Sequence, residues 1–152
     1  MRLQDIMNTK VETILATEPA DRAWERMRNR GIHHLVIIHG GKPVGVVSAQ
    51  DLGGARGAQS RQGKIVAHFM SPNMISAGPR ATVRQAANLL RGYGVGCLPV
   101  MDDGKLVGIV TVSDLLDLIG RGAERPSPET KRWTLKHRGA RPKRRGLVVR
   151  RP

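Results

Sequence analysis

The sequence predicts a mixed α/β protein built from two copies of one unit of about 50 residues, followed by a basic tail. Three observations support this prediction. The segment VGVVSAQDL at 44–52 returns as VGIVTVSDL at 107–115, an offset of 63 residues. Each copy has an apolar stripe with helical spacing, followed by two short apolar runs around a glycine-containing loop. Basic residues are concentrated after residue 120.

The repeat keeps its register without a gap. At the offset of 63 residues, identical residues coincide along the whole unit: Met7 with Met70, Ala23 with Ala86, Gly31 with Gly94, Leu35 with Leu98, and Asp51 with Asp114. Other pairs are conservative, such as Ser48 with Thr111. The match sets the expected boundaries: first repeat 1–57, linker 58–64, second repeat 65–122, and tail 123–152.

Each repeat is expected to open with a short strand and a helix. The strands are predicted near 11–15 and 74–77. Apolar residues with helical spacing then follow in the two repeats: Ala20, Ala23, Trp24 and Met27, and Val83, Ala86, Ala87 and Leu90. Thr82 with Gln85 resembles a capping box, and Gly31 and Gly94 suit the left-handed turn that ends a helix.

A hairpin and a closing helix complete each repeat. The runs HLVII and VGVVS, and CLPVM and VGIVT, flank glycine-containing loops and predict two hairpins. A short helix is expected after Asp51 and a longer one from Asp114. The intervening segment 53–64 is rich in glycine and polar residues, so a flexible or loosely packed linker is expected.

Composition indicates a folded protein of a reducing compartment. Of the 152 residues 39% are hydrophobic but only 3% aromatic, so the core must be aliphatic. Cys97 is the single cysteine, which excludes an internal disulfide and fits the cytoplasm. We find no secretory signal and no apolar run of membrane-spanning length, and therefore expect no membrane contact.

The repeat resembles the CBS domain, a regulatory module named after cystathionine β-synthase. In the second repeat the likeness lies in GVGCLPV at 94–100, DDGKLVGIVT at 102–111 and DLL at 114–116. In the first repeat it lies in 31–37 and 45–52, with Val36 where the family usually has the proline that Pro99 supplies in the second repeat. The resemblance covers residues 3–120.

The resemblance implies both architecture and function. It implies two βαββα repeats (an α/β or α+β class) related by pseudo-twofold symmetry, with two equivalent clefts between them. Such modules have no activity of their own, commonly form homodimers, here expected through the helices carrying Trp24 and Val83, and bind adenosine-containing ligands. The expected function is therefore a cytoplasmic energy sensor that binds AMP, ADP or ATP and acts on an effector protein. S-adenosylmethionine or NAD(H) is a second choice, and no covalent cofactor is expected.

The family pattern assigns ligand-binding residues to both clefts. Thr111 and Asp114 of one repeat would face residues of the other: Val11, Glu12, Ile32, His33, His34 and Val36. Ser48 and Asp51 would face Met74, Ile75, Val95, Gly96 and Pro99. His33 and His34 are adjacent on a strand and point to opposite faces, so at most one of them faces a given cleft. Because only the Asp114 cleft can recruit either imidazole, it is expected to bind a phosphorylated adenosine more tightly.

The hydroxyl and the carboxylate have a ligand-binding interpretation and a structural one. A carboxylate has two acceptor oxygens and can take both hydroxyls of a ribose, while a nearby serine or threonine can donate to phosphate. Alternatively, the same residues are ordinary helix caps. Both interpretations can hold for Asp51 and Asp114, since one oxygen can cap while the other remains free.

The sequence also bears on catalysis and on nucleic-acid binding. The chain has no P-loop, nucleophile elbow or zinc-ligand spacing, and Cys97 lies within an apolar run, so neither an enzyme nor a metal site is expected. Residues 121–152 hold twelve Lys or Arg and two Glu, with Trp133 among them. The alternative function is therefore nucleic-acid binding through this tail, which would weaken steeply with salt.

Overall fold

A computed structural model describes residues 1–71 and 73–120, which hold both copies of the repeat. The predictions for the basic tail and its nucleic-acid contacts fall on residues 121–152, which lie outside the described residues. In the described part, no helix combines the length and the apolar character that crossing a membrane requires.

The first repeat folds as a three-stranded sheet with one long helix. Strand β1 is Thr13–Leu15, helix α1 is Ala20–Arg30, and strands β2 and β3 are His34–His39 and Lys42–Ser48. β1 pairs in parallel with β2, and β2 pairs with β3 as an antiparallel hairpin. The predicted strand, helix and hairpin are confirmed here.

The segment between the repeats is ordered, which corrects the expectation of a flexible or loosely packed linker. It forms a 3-10 turn at Gly54–Arg56 and a short helix, α2, at Ala58–Arg61. The Arg61 side chain is only 3% exposed, and its guanidinium carbon lies 4.5 Å from the centroid of the Trp24 ring. The guanidinium therefore covers an aromatic face of α1 that would otherwise meet water.

Hydrogen bonds explain how a charged side chain is buried in this linker. Arg61 Nη1 donates to the carbonyls of Leu52 and Gly54, each at 2.8 Å, and Nε donates to Asp21 Oδ1 at 3.3 Å. A buried charge is tolerated when it is paired and hydrogen-bonded. The linker thus joins the end of the first hairpin to the start of α1.

Over its described residues, the second repeat has the same helix and hairpin, lacks the first strand and closes with a helix of nine residues. Its elements are helix α3 at Val83–Tyr93, strands β4 and β5 at Cys97–Asp102 and Lys105–Thr111, and helix α4 at Val112–Gly120. β4 and β5 form an antiparallel pair. In place of the predicted first strand, Ala77 makes an isolated parallel bridge with Val100.

The helix ends follow the signals in the sequence. Gly31 and Gly94 have φ angles of 62° and 63°, a left-handed conformation that favours glycine because a Cβ would be strained there. At the start of α3, the Gln85 N–H donates to Thr82 Oγ1 at 3.1 Å, and the Thr82 N–H donates to Gln85 Oε1 at 2.8 Å. The predicted capping box is confirmed.

The repeats exchange their leading segments. Leu3 is fully buried in the apolar cluster of the second repeat, and Val66 is fully buried in that of the first. The Leu3 N–H donates to the Ala81 carbonyl and the Val66 N–H to the Glu18 carbonyl, both at 2.9 Å. Burial of each such side chain contributes about 1.5–3 kcal/mol, so the exchange ties the repeats together.

A third apolar cluster contains strand residues from both repeats. Its buried members are Val36 of β2, Cys97 of β4 and Ile109 of β5. These strands come from different repeats, so the cluster forms a shared core between them. The cluster is aliphatic apart from the thiol, as the low aromatic content predicts.

Candidate functional site

Each hairpin ends in a turn that joins a hydroxyl to a carboxylate. The Ser48 N–H donates to Asp51 Oδ2 at 2.8 Å, and the Asp51 N–H donates to Ser48 Oγ at 3.0 Å. Thr111 and Asp114 make the same two bonds at 2.8 and 3.2 Å. These are the reciprocal bonds of a capping box, and because they use Oδ2, Oδ1 of each aspartate stays available as an acceptor.

An open pocket of about 690 Å³ lies beside the turn of the first repeat, and we call it the Asp51 pocket. Its volume lies within the range of sites that hold small molecules. Its walls come from both repeats, and eight of the residues expected from the sequence are among them: His33, His34, Ser48, Asp51, Met74, Ile75, Val95 and Gly96.

The remaining expected residues lie elsewhere. Thr111 and Asp114 form the turn of the second repeat, around which we define the Asp114 cleft by repeat equivalence. Val36 and Pro99 are buried inside strands, so their side chains are not exposed to a ligand. The other three make contacts outside the Asp51 pocket. Val11 packs against the shared core, Ile32 packs against the apolar cluster of the first repeat, and Glu12 forms an ion pair with the Arg30 guanidinium.

The sequence assigns at most one of the two histidines to the Asp114 cleft and neither of them to the Asp51 pocket. His33 and His34 line the Asp51 pocket. The reason is the hairpin: the start of β2 pairs with the end of β3 in the same repeat, which places His34 opposite Ser48. The family pattern assigns to each Ser/Thr–Asp turn only residues of the opposite repeat. This pocket contains residues of the opposite repeat and also His33 and His34, which belong to the same repeat as Asp51.

Gly96 is the residue that makes room for the His34 ring. A Cβ added at Gly96 would lie 2.7 Å from His34 Nε2, closer than real Cβ contacts come. Any larger residue at position 96 would therefore push the imidazole away. Because Gly96 belongs to the second repeat, the contact also joins the two walls of the pocket.

The thiol in the pocket wall is inert. Burial raises the pKa of Cys97 to about 12, and the negative charge of Asp51 acts in the same direction. A thiol with this pKa is protonated near neutral pH and is a poor nucleophile. Cys97 is thus a buried structural residue, as its place in an apolar run predicts.

His34 should make the stability of the protein depend on pH. Burial lowers its pKa below 6.5, the neighbouring His33 lowers it further, and Asp51 opposes the shift. Below pH 6.5 the unfolded chain therefore binds more protons, so the free energy of unfolding falls as the pH decreases from 6.5 toward the lowered pKa. Above 6.5 this residue contributes no slope.

The variant His34→Gln isolates this contribution. Urea unfolding at several pH values should give a steeper loss of stability below about pH 6.5 for the wild type than for the variant. The same substitution at the exposed His39 is the control and should keep the wild-type slope. Identical pH profiles for the wild type and His34→Gln would contradict the assignment.

Sequence reasoning missed seven residues of the pocket wall. They are Val46, Ala49, Gln50, Ser71, Asn73, Tyr93 and Gly94. Tyr93 had a usable signal, since it is the single tyrosine of the chain and immediately precedes the glycine that ends α3. The residue is 62% exposed and lines the pocket, where an aromatic face can stack on a planar ligand.

Comparison with known proteins agrees with this geometry. The CBS domain family model matches residues 3–55 and 66–121. The CBS domain-containing protein YhcV of Bacillus subtilis is 27% identical over 114 residues, which cover 74% of this chain and 81% of that protein. An inosine-5'-monophosphate dehydrogenase of Korarchaeum cryptofilum is 30% identical over 115 residues, which cover 75% of this chain and 23% of the enzyme.

One similar solved structure contains ligands. It is the CBS domain pair of protein MJ0100 in complex with 5'-methylthioadenosine and S-adenosyl-L-methionine. The two chains are 28% identical with a TM-score of 0.70, and the match covers 79% of this chain and 96% of that chain.

Proposed function

Because the chain belongs to the CBS domain family, we propose that it is a regulatory module that binds an adenosine compound in the Asp51 pocket and signals to a partner protein. The observation that carries this proposal is the placement of the Asp51 carboxylate beside apolar walls from the other repeat. The stretch shared with the dehydrogenase is a minor part of that enzyme, so we propose a binding role without catalysis.

The Asp51 carboxylate is suited to a ribose. Its Oδ2 is held by the Ser48 N–H, which fixes the orientation of the carboxylate before a ligand arrives. Its Oδ1 can accept from the ribose hydroxyls, and hydrogen bonds to a charged acceptor are stronger than neutral ones. A fixed acceptor at a pocket wall is thus the feature that selects the sugar.

The apolar walls are suited to an adenine. Met74, Ile75 and Val95 are half-buried in the pocket wall, and Tyr93 lies with them. Base stacking on an aromatic ring and contact with aliphatic side chains both favour a flat heterocycle. The ligands of the MJ0100 pair share this adenosine moiety, which supports the assignment.

The charges at the pocket favour a ligand with few phosphates. Among the described residues that line it, none is lysine or arginine, and His33 and His34 are the basic groups. A triphosphate would meet the Asp51 carboxylate with little positive charge to offset it. We therefore propose AMP as the preferred nucleotide, ahead of ADP and ATP.

A thermal-shift screen tests the proposal. AMP at about 100 times its dissociation constant should stabilise the protein by about 2.7 kcal/mol, with methylthioadenosine and S-adenosylmethionine compared in parallel and ATP giving a smaller shift. Ribose 5-phosphate, which lacks the base, should leave the melting temperature unchanged. A screen in which none of the adenosine compounds shifts the melting temperature would reject the proposal.

We also propose that the module is a homodimer, through helix α4. Val112, Leu116 and Ile119 are spaced as one helical face and are 41%, 61% and 80% exposed. Exposed apolar stripes of this kind mark interaction surfaces. The helices expected from the sequence are less suited, because Arg61 covers Trp24 and Val83 packs into the second repeat's core.

Light scattering on a sizing column checks the homodimer. The wild type should have the mass of two chains, and Leu116→Glu with Ile119→Glu should have the mass of one, since a buried carboxylate at an apolar interface is costly. Asn88→Glu on the exposed side of α3 is the control and should remain dimeric. A monomeric wild type at high micromolar concentration would contradict this assignment.

A further inference from the structure

The internal repeat allows the two clefts to be compared position by position. Tyr93 is the last residue of α3 before the left-handed Gly94, and its counterpart Arg30 is the last residue of α1 before the left-handed Gly31. Ile75 precedes the Ala77 bridge, and its counterpart Glu12 precedes β1. The two pairs occupy equivalent backbone positions. The side chains are charged in the first repeat, whereas the second repeat has an isoleucine and a tyrosine there.

The two charged side chains bind each other. Arg30 Nη1 lies 2.8 Å from Glu12 Oε1, so the pair bridges the end of α1 and the segment before β1. In the Asp51 pocket the equivalent positions carry Ile75 and Tyr93, both of which line the open space. By repeat equivalence, the ion pair occupies the place in the Asp114 cleft that the apolar and aromatic wall has in the Asp51 pocket.

This difference decides which cleft accepts a base. Glu12 and Arg30 are 31% and 60% exposed, so water still solvates the pair. An adenine placed against them would have to remove that water or separate the charges, and both steps cost free energy. In the Asp51 pocket the same base covers an isoleucine and stacks on a tyrosine, which is favourable.

We propose that the Glu12–Arg30 pair makes the Asp114 cleft unable to accept an adenosine compound, so that each chain binds one ligand. The inference rests on the proposed function of the Asp51 pocket and adds the residues that set its stoichiometry. Thr111 and Asp114 keep the ribose-binding geometry of the other turn. Base selection, and not ribose recognition, is therefore what distinguishes the clefts.

Reciprocal exchange of the two positions tests the proposal. Isothermal titration with AMP should give one site per chain for the wild type. The exchange Glu12→Ile with Arg30→Tyr should give two sites, and Ile75→Glu with Tyr93→Arg should give none. Glu12→Gln, an isosteric change that removes the negative charge, is a milder variant that should also expose a second, weaker site.

Each alternative outcome has a distinct meaning. Two sites in the wild type would overturn this inference and leave the proposed function standing. A single site in both the exchange variant and Glu12→Gln would overturn it as well, provided that the far-ultraviolet circular dichroism of both matches the wild type. Absence of AMP binding in the wild type and in every variant would overturn the proposed function, and this inference with it.

Discussion

Replacement of Asp51 by alanine should weaken AMP binding about 100-fold, because a charge-assisted hydrogen bond contributes about 1.5–3 kcal/mol and every 1.4 kcal/mol is tenfold in affinity. The substitution removes the acceptor for the ribose hydroxyls and leaves the apolar wall of the pocket in place. Isothermal titration of the wild type and the variant measures the loss. The effect reverses the order expected from the sequence, in which the Asp114 cleft was the tighter one.

The repeat supplies a matched control for this variant. Asp114→Ala removes the equivalent capping hydrogen bond, the one that the carboxylate accepts from the Thr111 N–H, so both variants should lose similar stability, about 1 kcal/mol. Only Asp51→Ala should lose affinity for AMP. Equal loss of affinity in the two variants, or a greater loss in Asp114→Ala, would show that the wrong aspartate has been assigned to the ligand.

Replacement of Arg61 by methionine should destabilise the fold by about 2–4 kcal/mol, since hydrogen bonds from a charged donor and a cation–π contact are lost together. Methionine keeps an apolar stem against Trp24 but leaves the Leu52 and Gly54 carbonyls without their donor. Urea unfolding gives the difference in free energy. Because Leu52 directly follows Asp51, AMP binding should weaken as well.

An exposed arginine of the same linker is the control. Arg56→Met removes an equal charge from the neighbouring 3-10 turn, where the side chain is exposed, and should change stability by less than about 0.5 kcal/mol. Equal free energies of unfolding for Arg61→Met and Arg56→Met would contradict this prediction. They would show that the linker does not stabilise the fold, as its composition suggested.

Local signals in the sequence were sufficient for most of the fold. The 63-residue offset, the helical spacing around Met27 and Leu90, and the glycines at positions 31 and 94 each report on nearby backbone. The Thr82–Gln85 capping box is predicted from two residues that are three positions apart in the sequence. Such features depend on interactions within one turn or hairpin, so a single sequence contains them.

Features that depend on packing between distant segments were not predictable in the same way. A glycine-rich linker gives no local sign that Arg61 will find Trp24, which is 37 residues earlier in the chain. The placement of His34 depends on both its hairpin partner Ser48 and the space left by Gly96. The family pattern did not place these imidazoles beside Asp51, where both of them lie.

An amide-resolved NMR titration with AMP tests the central claim most directly, because the repeat provides paired reporters in one molecule. We expect saturable shifts of the Asp51 and Gly94 amides, at the pocket, while the equivalent Asp114 and Gly31 amides keep their positions. Shifts centred on Asp114 and Gly31, or no shifts at saturating AMP, would contradict it.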